Sequence, residues 1–101
     1  MHTRVDLHKA LQEALGSNQV YYQPPTSVRM KYPAIVYNLV RDRASHANGN
    51  PYIHRTFYRV IVISPDPDNT ITNKVAALPT ATAGRRYVAE NLYHDPYDIY
   101  I

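Results

Sequence analysis

The chain contains no cysteine, no tryptophan and only three glycines in 101 residues. Without cysteine there is no disulfide, no thiolate nucleophile and no cysteine-type zinc site, so the fold must rest on packing alone. Three glycines are too few for a phosphate-cradling or dinucleotide-binding loop, and no G-x-S-x-G nucleophile elbow occurs. No apolar run approaches the roughly 20 residues that a membrane-spanning helix needs. Met1-His2-Thr3-Arg4-Val5-Asp6 enters directly on a charged amphipathic pattern rather than the apolar stretch of a secretory leader, which leads to the expectation of a protein assembled in the cytoplasm.

What remains is a chain that is 45% hydrophobic and 19% charged, the balance of a globular protein with one modest core, read here as a single domain over residues 1–101. A formal charge of +3 with a pI near 9.3 admits an acidic partner without the dense basic stripe of a dedicated nucleic-acid binder. Ten tyrosines are present. Tyrosine joins a large apolar ring to a hydroxyl that tolerates water, which suits a protein interface and suits half-buried strands equally well.

The most strand-like run is Ala34-Ile35-Val36-Tyr37-Asn38-Leu39-Val40, β-branched and aromatic, with prolines at its entrance and none inside. Before it, Thr3 as N-cap, an approximate capping box to Asp6 and the stripe Val5, Leu7, Leu11, Ala14, Leu15 predict a helix from about Arg4 to Leu15, ended by Gly16, with Arg4, Lys9, Gln12 and Glu13 on its polar side. Val20-Tyr21-Tyr22 reads as a short strand closed by Pro24-Pro25. After it, Asn48-Gly49 favours a reversal, and residues 52–64 read as a second strand with Tyr58, Val60 and Val62 on one face and Phe57, Arg59, Ile61 and Ile63 on the other. These two runs predict a long antiparallel hairpin with a polar, basic tip.

A second helix follows, capped by Asp68 or Asn69, carrying Ile71, Val75 and Leu78 at helical spacing and stopped by Pro79. Residues 80–87 are small and polar and fit a short strand or a loop. Residues 88–101 read as strand, with a bend at Asp95-Pro96. The expected fold class is α+β: an antiparallel sheet with a long projecting hairpin, covered on one face by two helices. Two helices cannot cover both apolar faces of the hairpin strands, so the second face must be closed by curvature or by another subunit.

Candidate chemistry is sparse. His2, His8, His46, His54 and His94 avoid the i, i+4 and H-x-H spacings that preassemble metal ligands. Asp66-Pro67-Asp68 starts like a calcium loop, but Ile71 and Ala77 stand where that loop needs glycine and glutamate. We therefore expect no metal, no cofactor and no enzymatic activity. The candidate surface is the hairpin: Arg41, Arg43, Arg55 and Arg59 could line one part of it, with His46, Asn48, Tyr52 and His54 toward the tip, and Arg85-Arg86 offers a second basic spot. A nucleic-acid contact, a docking arm for an acidic protein and a solvated edge that resists aggregation all fit that composition.

Taken in order, several segments resemble the tail terminator, or tail completion, proteins of long-tailed bacteriophages. The resemblance starts at Val5-Asp6-Leu7-His8-Lys9-Ala10-Leu11 and is most specific in Gln23-Pro24-Pro25 followed by Lys31-Tyr32-Pro33-Ala34-Ile35-Val36-Tyr37. It continues through Tyr58-Arg59-Val60-Ile61-Val62-Ile63, Pro67-Asp68, Lys74-Val75-Ala76-Ala77-Leu78-Pro79 and Asn91-Leu92-Tyr93-His94-Asp95. It implies a virion structural protein of the tail and neck, a homohexameric ring that caps the head-proximal end of the tail tube, stops tube growth and serves head–tail joining. Its implied partners are further copies of the chain, the tail tube protein and a neck or head completion protein. DNA would pass through the lumen without specific binding, and no membrane is involved. Another neck or head–tail joining protein, and a small nucleic-acid-binding module using the Arg/Tyr hairpin, remain alternatives.

Overall fold

The computed structural model describes residues 3–24, 29–44 and 53–100, with backbone alone for 41–44 and 53–56. In chain order the elements are α1 (Arg4–Leu15), β1 (Val20–Tyr22), β2 (Ala34–Ala44), β3 (Ile53–Ser64), α2 (Ile71–Ala76), β4 (Thr82–Ala83), β5 (Tyr87–Ala89) and β6 (Leu92–Tyr100). Thr3 begins α1 as a working N-cap, its Oγ1 accepting the Asp6 N–H at 3.2 Å. Gly16 ends the helix with φ of 79°, a left-handed conformation in which its N–H reaches back to the Gln12 carbonyl at 2.8 Å.

The strands form one six-stranded sheet in the order β1-β2-β3-β6-β4, with β5 also paired to β6. β2 and β3 run antiparallel over eleven rungs, from Ala34 opposite Ile63 to Ala44 opposite Ile53. The expectation of an antiparallel sheet needs one correction. β1 lies parallel to β2, with Val20, Tyr21 and Tyr22 opposite Ile35, Val36 and Tyr37, so the sheet is mixed. The link from Gln23 to Pro33 carries the chain back to the end of the sheet at which β1 began, which a hairpin could not do. Gln23 extends that short ladder: its N–H donates to Tyr37 O at 2.9 Å, and its Oε1 accepts the Leu39 N–H at 3.2 Å.

Both helices lie on one face. Leu7, Leu11 and Ala14 of α1 and Ile71 and Val75 of α2 join Val20, Ile35, Tyr37, Tyr58, Val60, Val62, Tyr97 and Ile99 in a single core. Strand alternation puts the other residues of β2, β3 and β6 on a face that no described helix covers. Val5 is a correction to the predicted stripe, since it is 51% exposed. The α2 helix ends at Ala76, earlier than Pro79 suggests, and Leu78 packs on the core from the turn beyond it. At its start Asn69 Oδ1 accepts the Thr72 N–H at 3.3 Å.

The C-terminal third departs furthest from expectation. Residues 88–101 are not one strand but a hairpin: β5 turns into β6 at Glu90 and Asn91, both at positive φ, 53° and 63°, as a two-residue hairpin loop requires. Asp95-Pro96 is no bend, for β6 runs through it. Ala83 pairs with Tyr97 and Tyr87 with His94, so Gly84, Arg85 and Arg86 face only Asp95 and Pro96. That is a β-bulge, one residue too many on the outer strand. The Gly84 N–H donates to Pro96 O at 2.8 Å, which aims the Pro96 nitrogen at the bulge as well. Its missing donor therefore falls where the ladder is already broken, and this is why proline is tolerated in β6. Gly84 is required by closeness, because a Cβ there would meet Pro96 Cγ at 3.0 Å.

Candidate partner-binding surfaces

The β2–β3 ladder outruns the rest of the sheet. β1 reaches only to Tyr37 and β6 only to Phe57, so the four rungs from Arg41–Thr56 to Ala44–Ile53 have no third strand beside them among the described residues. At about 3.4 Å per residue this arm adds roughly 14 Å to the sheet. The molecule is correspondingly elongated, 48 by 27 by 27 Å, with a radius of gyration of 14.8 Å against about 13 Å for a compact domain of similar length.

Register sorts the predicted arginines, and it separates them. Arg41 opposite Thr56 and Arg43 opposite His54 share the face of Tyr37 and Leu39, the helix side. Arg55 opposite Asp42 and Arg59 opposite Asn38 fall on the other face. The expectation that Arg41, Arg43, Arg55 and Arg59 line one surface is thus corrected by the two-residue period of the strand. Arg59 is already engaged: its Nε donates to Asp98 Oδ1 at 3.2 Å, and its guanidinium lies 5.6 Å from the Phe57 ring centre. His46, Asn48 and Tyr52 lie outside the described residues.

The other basic spot divides as well. Arg85 is exposed in the bulge. Arg86, also exposed, is engaged in a structural task, donating from Nε to Asp95 Oδ1 at 2.6 Å, from Nη2 to Asp95 Oδ2 at 3.1 Å and from Nη2 to Pro67 O at 2.9 Å. This fork ties the turn before α2 to β6 and neutralises a buried carboxylate. Sequence spacing alone could not reveal the pairing, because the bulge decides which residue meets Asp95.

A cluster that the sequence reading missed sits at the root of the arm. Tyr37, fully buried, places its hydroxyl 2.6 Å from His8 Nδ1 and 3.3 Å from Arg4 Nη1. Arg4 donates to the phenolic oxygen, and the phenol proton is then available to a neutral His8. Tyr22, Tyr37 and Tyr58 pack with ring centres 4.9 to 6.3 Å apart, and the Arg4 guanidinium covers Tyr22 at 4.5 Å. Burial, with help from the Arg4 charge, pushes the His8 imidazole below its ordinary value. Burial raises the Tyr37 phenol, and the bond to Tyr37 raises Arg4. Arg4 and His8 are four residues apart on α1, a spacing that marks one helix face and was the available signal.

On the face without helices the strand residues include Val36, Ile61 and Tyr100, and Tyr100 is 38% exposed. Tyr100 packs on Phe57 at 5.1 Å between ring centres. Along the outer edge, Tyr87 is 45% and Val88 63% exposed, with Tyr87 stacked on His94 at 4.8 Å. Among the described residues no group of three or more histidines or carboxylates stands together as a metal site would require, and no helix is long and apolar enough to cross a membrane. Comparison of the chain with protein-family models, with curated proteins and with solved structures finds no significant match.

Proposed function

We propose that this chain is a structural subunit of a phage virion, a tail terminator that forms a six-membered ring on the head-proximal end of the tail tube, stops tube growth and joins the tail to the neck. The observation that carries the reading is the sheet face that no described helix covers, with apolar Val36, Ile61 and Tyr100 on it and a two-stranded arm projecting from the same strands. A lone domain gains little from such a face, whereas a head-to-tail interface between copies buries it and closes into a ring when the rotation per subunit suits closure. The segments that resemble the terminator family support the same reading. Gln23, in the most specific of them, bonds β1 to β2 through both its backbone and its side chain.

The test is the purified protein alone and with tail tubes. Light scattering and negative-stain micrographs should show a ring of about six copies, alone or on tube ends. Removing residues 45–50 should abolish ring formation or tail joining while the circular dichroism spectrum is kept. A monomer that neither assembles nor binds tubes would overturn the proposal.

A further inference from the structure

The arm is charge-segregated. On its helix-side face the residues at register positions from Leu39 outward are Leu39, Arg41 and Arg43 on β2 and Tyr58, Thr56 and His54 on β3. No carboxylate is among them, and beyond Leu39 and Tyr58 no apolar residue either. On the other face Asp42 stands opposite Arg55, and Arg59 is bonded to Asp98, so the charges cancel. That face also carries the apolar pairs Val40–Phe57 and Ala44–Ile53.

The geometry points to the helix-side face of the arm, through Arg41, Arg43 and His54, as a contact for the phosphate backbone of nucleic acid, read without regard to sequence. Arginine keeps its charge at every accessible pH, and its fork matches phosphate oxygens. Arg41 and Arg43 are two residues apart, about 6.8 Å along the strand. A two-stranded ribbon is narrow enough for the major groove of a duplex. Arg4 continues the basic line at the root of the arm, over Tyr22. An acidic protein is the weaker fit, because protein interfaces centre on apolar and aromatic anchors, and outward of the Leu39–Tyr58 rung the described ones, Val40, Phe57, Ala44 and Ile53, lie on the opposite face. The inference does not rest on ring formation and holds for the chain as a free subunit.

Fluorescence anisotropy of the full chain with two labelled duplexes of unrelated sequence, across a salt series, tests it. Two double variants remove the same net charge from opposite faces: Arg41→Ala with Arg43→Ala, and Arg55→Ala with Arg59→Ala, each checked for folding by circular dichroism. The first should weaken binding to both duplexes alike and reduce the slope of log K against log salt by about one per arginine, and the second should leave the slope unchanged. Equal losses in the two variants would mean a net-charge effect and overturn the assignment. Absence of wild-type binding, or binding to labelled poly-glutamate as tight as to DNA at the same salt, would overturn it too, the latter in favour of an acidic protein partner.

Discussion

Tyr37 shows how much a single side chain settles in a protein of this size. Its ring fills the core between Tyr22 and Tyr58, and its hydroxyl would be a costly buried polar group without His8 and Arg4. That arrangement requires a neutral imidazole. Protonated His8 would have to donate at Nδ1, displacing the phenol proton and setting a second cation beside Arg4. With the folded-state value of His8 below its ordinary 6.5, the contribution to stability is present above about 6.5 and is lost as pH falls below it. Thermal melts of the wild type and His8→Gln across that range should therefore converge toward acid, with the wild type losing the more. The other histidines are common to both proteins and cancel in the difference. The cluster was half legible: the i, i+4 pair on α1 stood in the sequence, but a buried partner on a strand about thirty residues away could come only from packing, and Arg4 reads as a solvent residue until that partner is known.

Among the elements, those whose rules are local were readable before the fold was known. Thr3 and Gly16 bracket α1 because an orphan N–H needs an oxygen and a left-handed turn needs a glycine, and neither requirement depends on the rest of the chain. The β2–β3 hairpin was readable for the same reason, its period of two carried by branched and aromatic residues. β1 was readable as a strand but not in direction, since parallel pairing is a property of the link and not of three residues. Residues 82–100 resisted because their turn, Glu90-Asn91, lacks the Asn-Gly signal and because Pro96 argues against a strand wherever its neighbour is unknown. The Arg86–Asp95 fork holds this region to α2's approach, and Asp95→Asn, which keeps the shape and removes the charge, should destabilise the protein by about 1 to 3 kcal/mol in denaturant titrations.

At the scale of the whole molecule the sheet has, among the described residues, two free edges and one face without a helix, and they are built differently. The β1 edge is only three residues long. The outer edge is made of two fragments, Thr82–Ala83 and Tyr87–Ala89, put out of step by the bulge. Association through the open face and the arm is what the proposed ring needs, and edge-to-edge growth is what a ring subunit must avoid. The charge separation on the arm was invisible in composition, where four arginines count alike; only rung-by-rung register assigns them to sides. The bulge acts on the same level, by breaking the continuous pairing edge that the outer strand would otherwise offer. Deleting Arg85 would leave Gly84 and Arg86 facing Pro96 and Asp95 one to one, with the pairs on either side unchanged. The fold should survive, but the edge would become a continuous template for a strand from another copy. We expect that variant to keep its native spectrum while depositing thioflavin-positive aggregate under conditions in which the wild type stays clear, a difference that would trace edge protection to one unmatched residue.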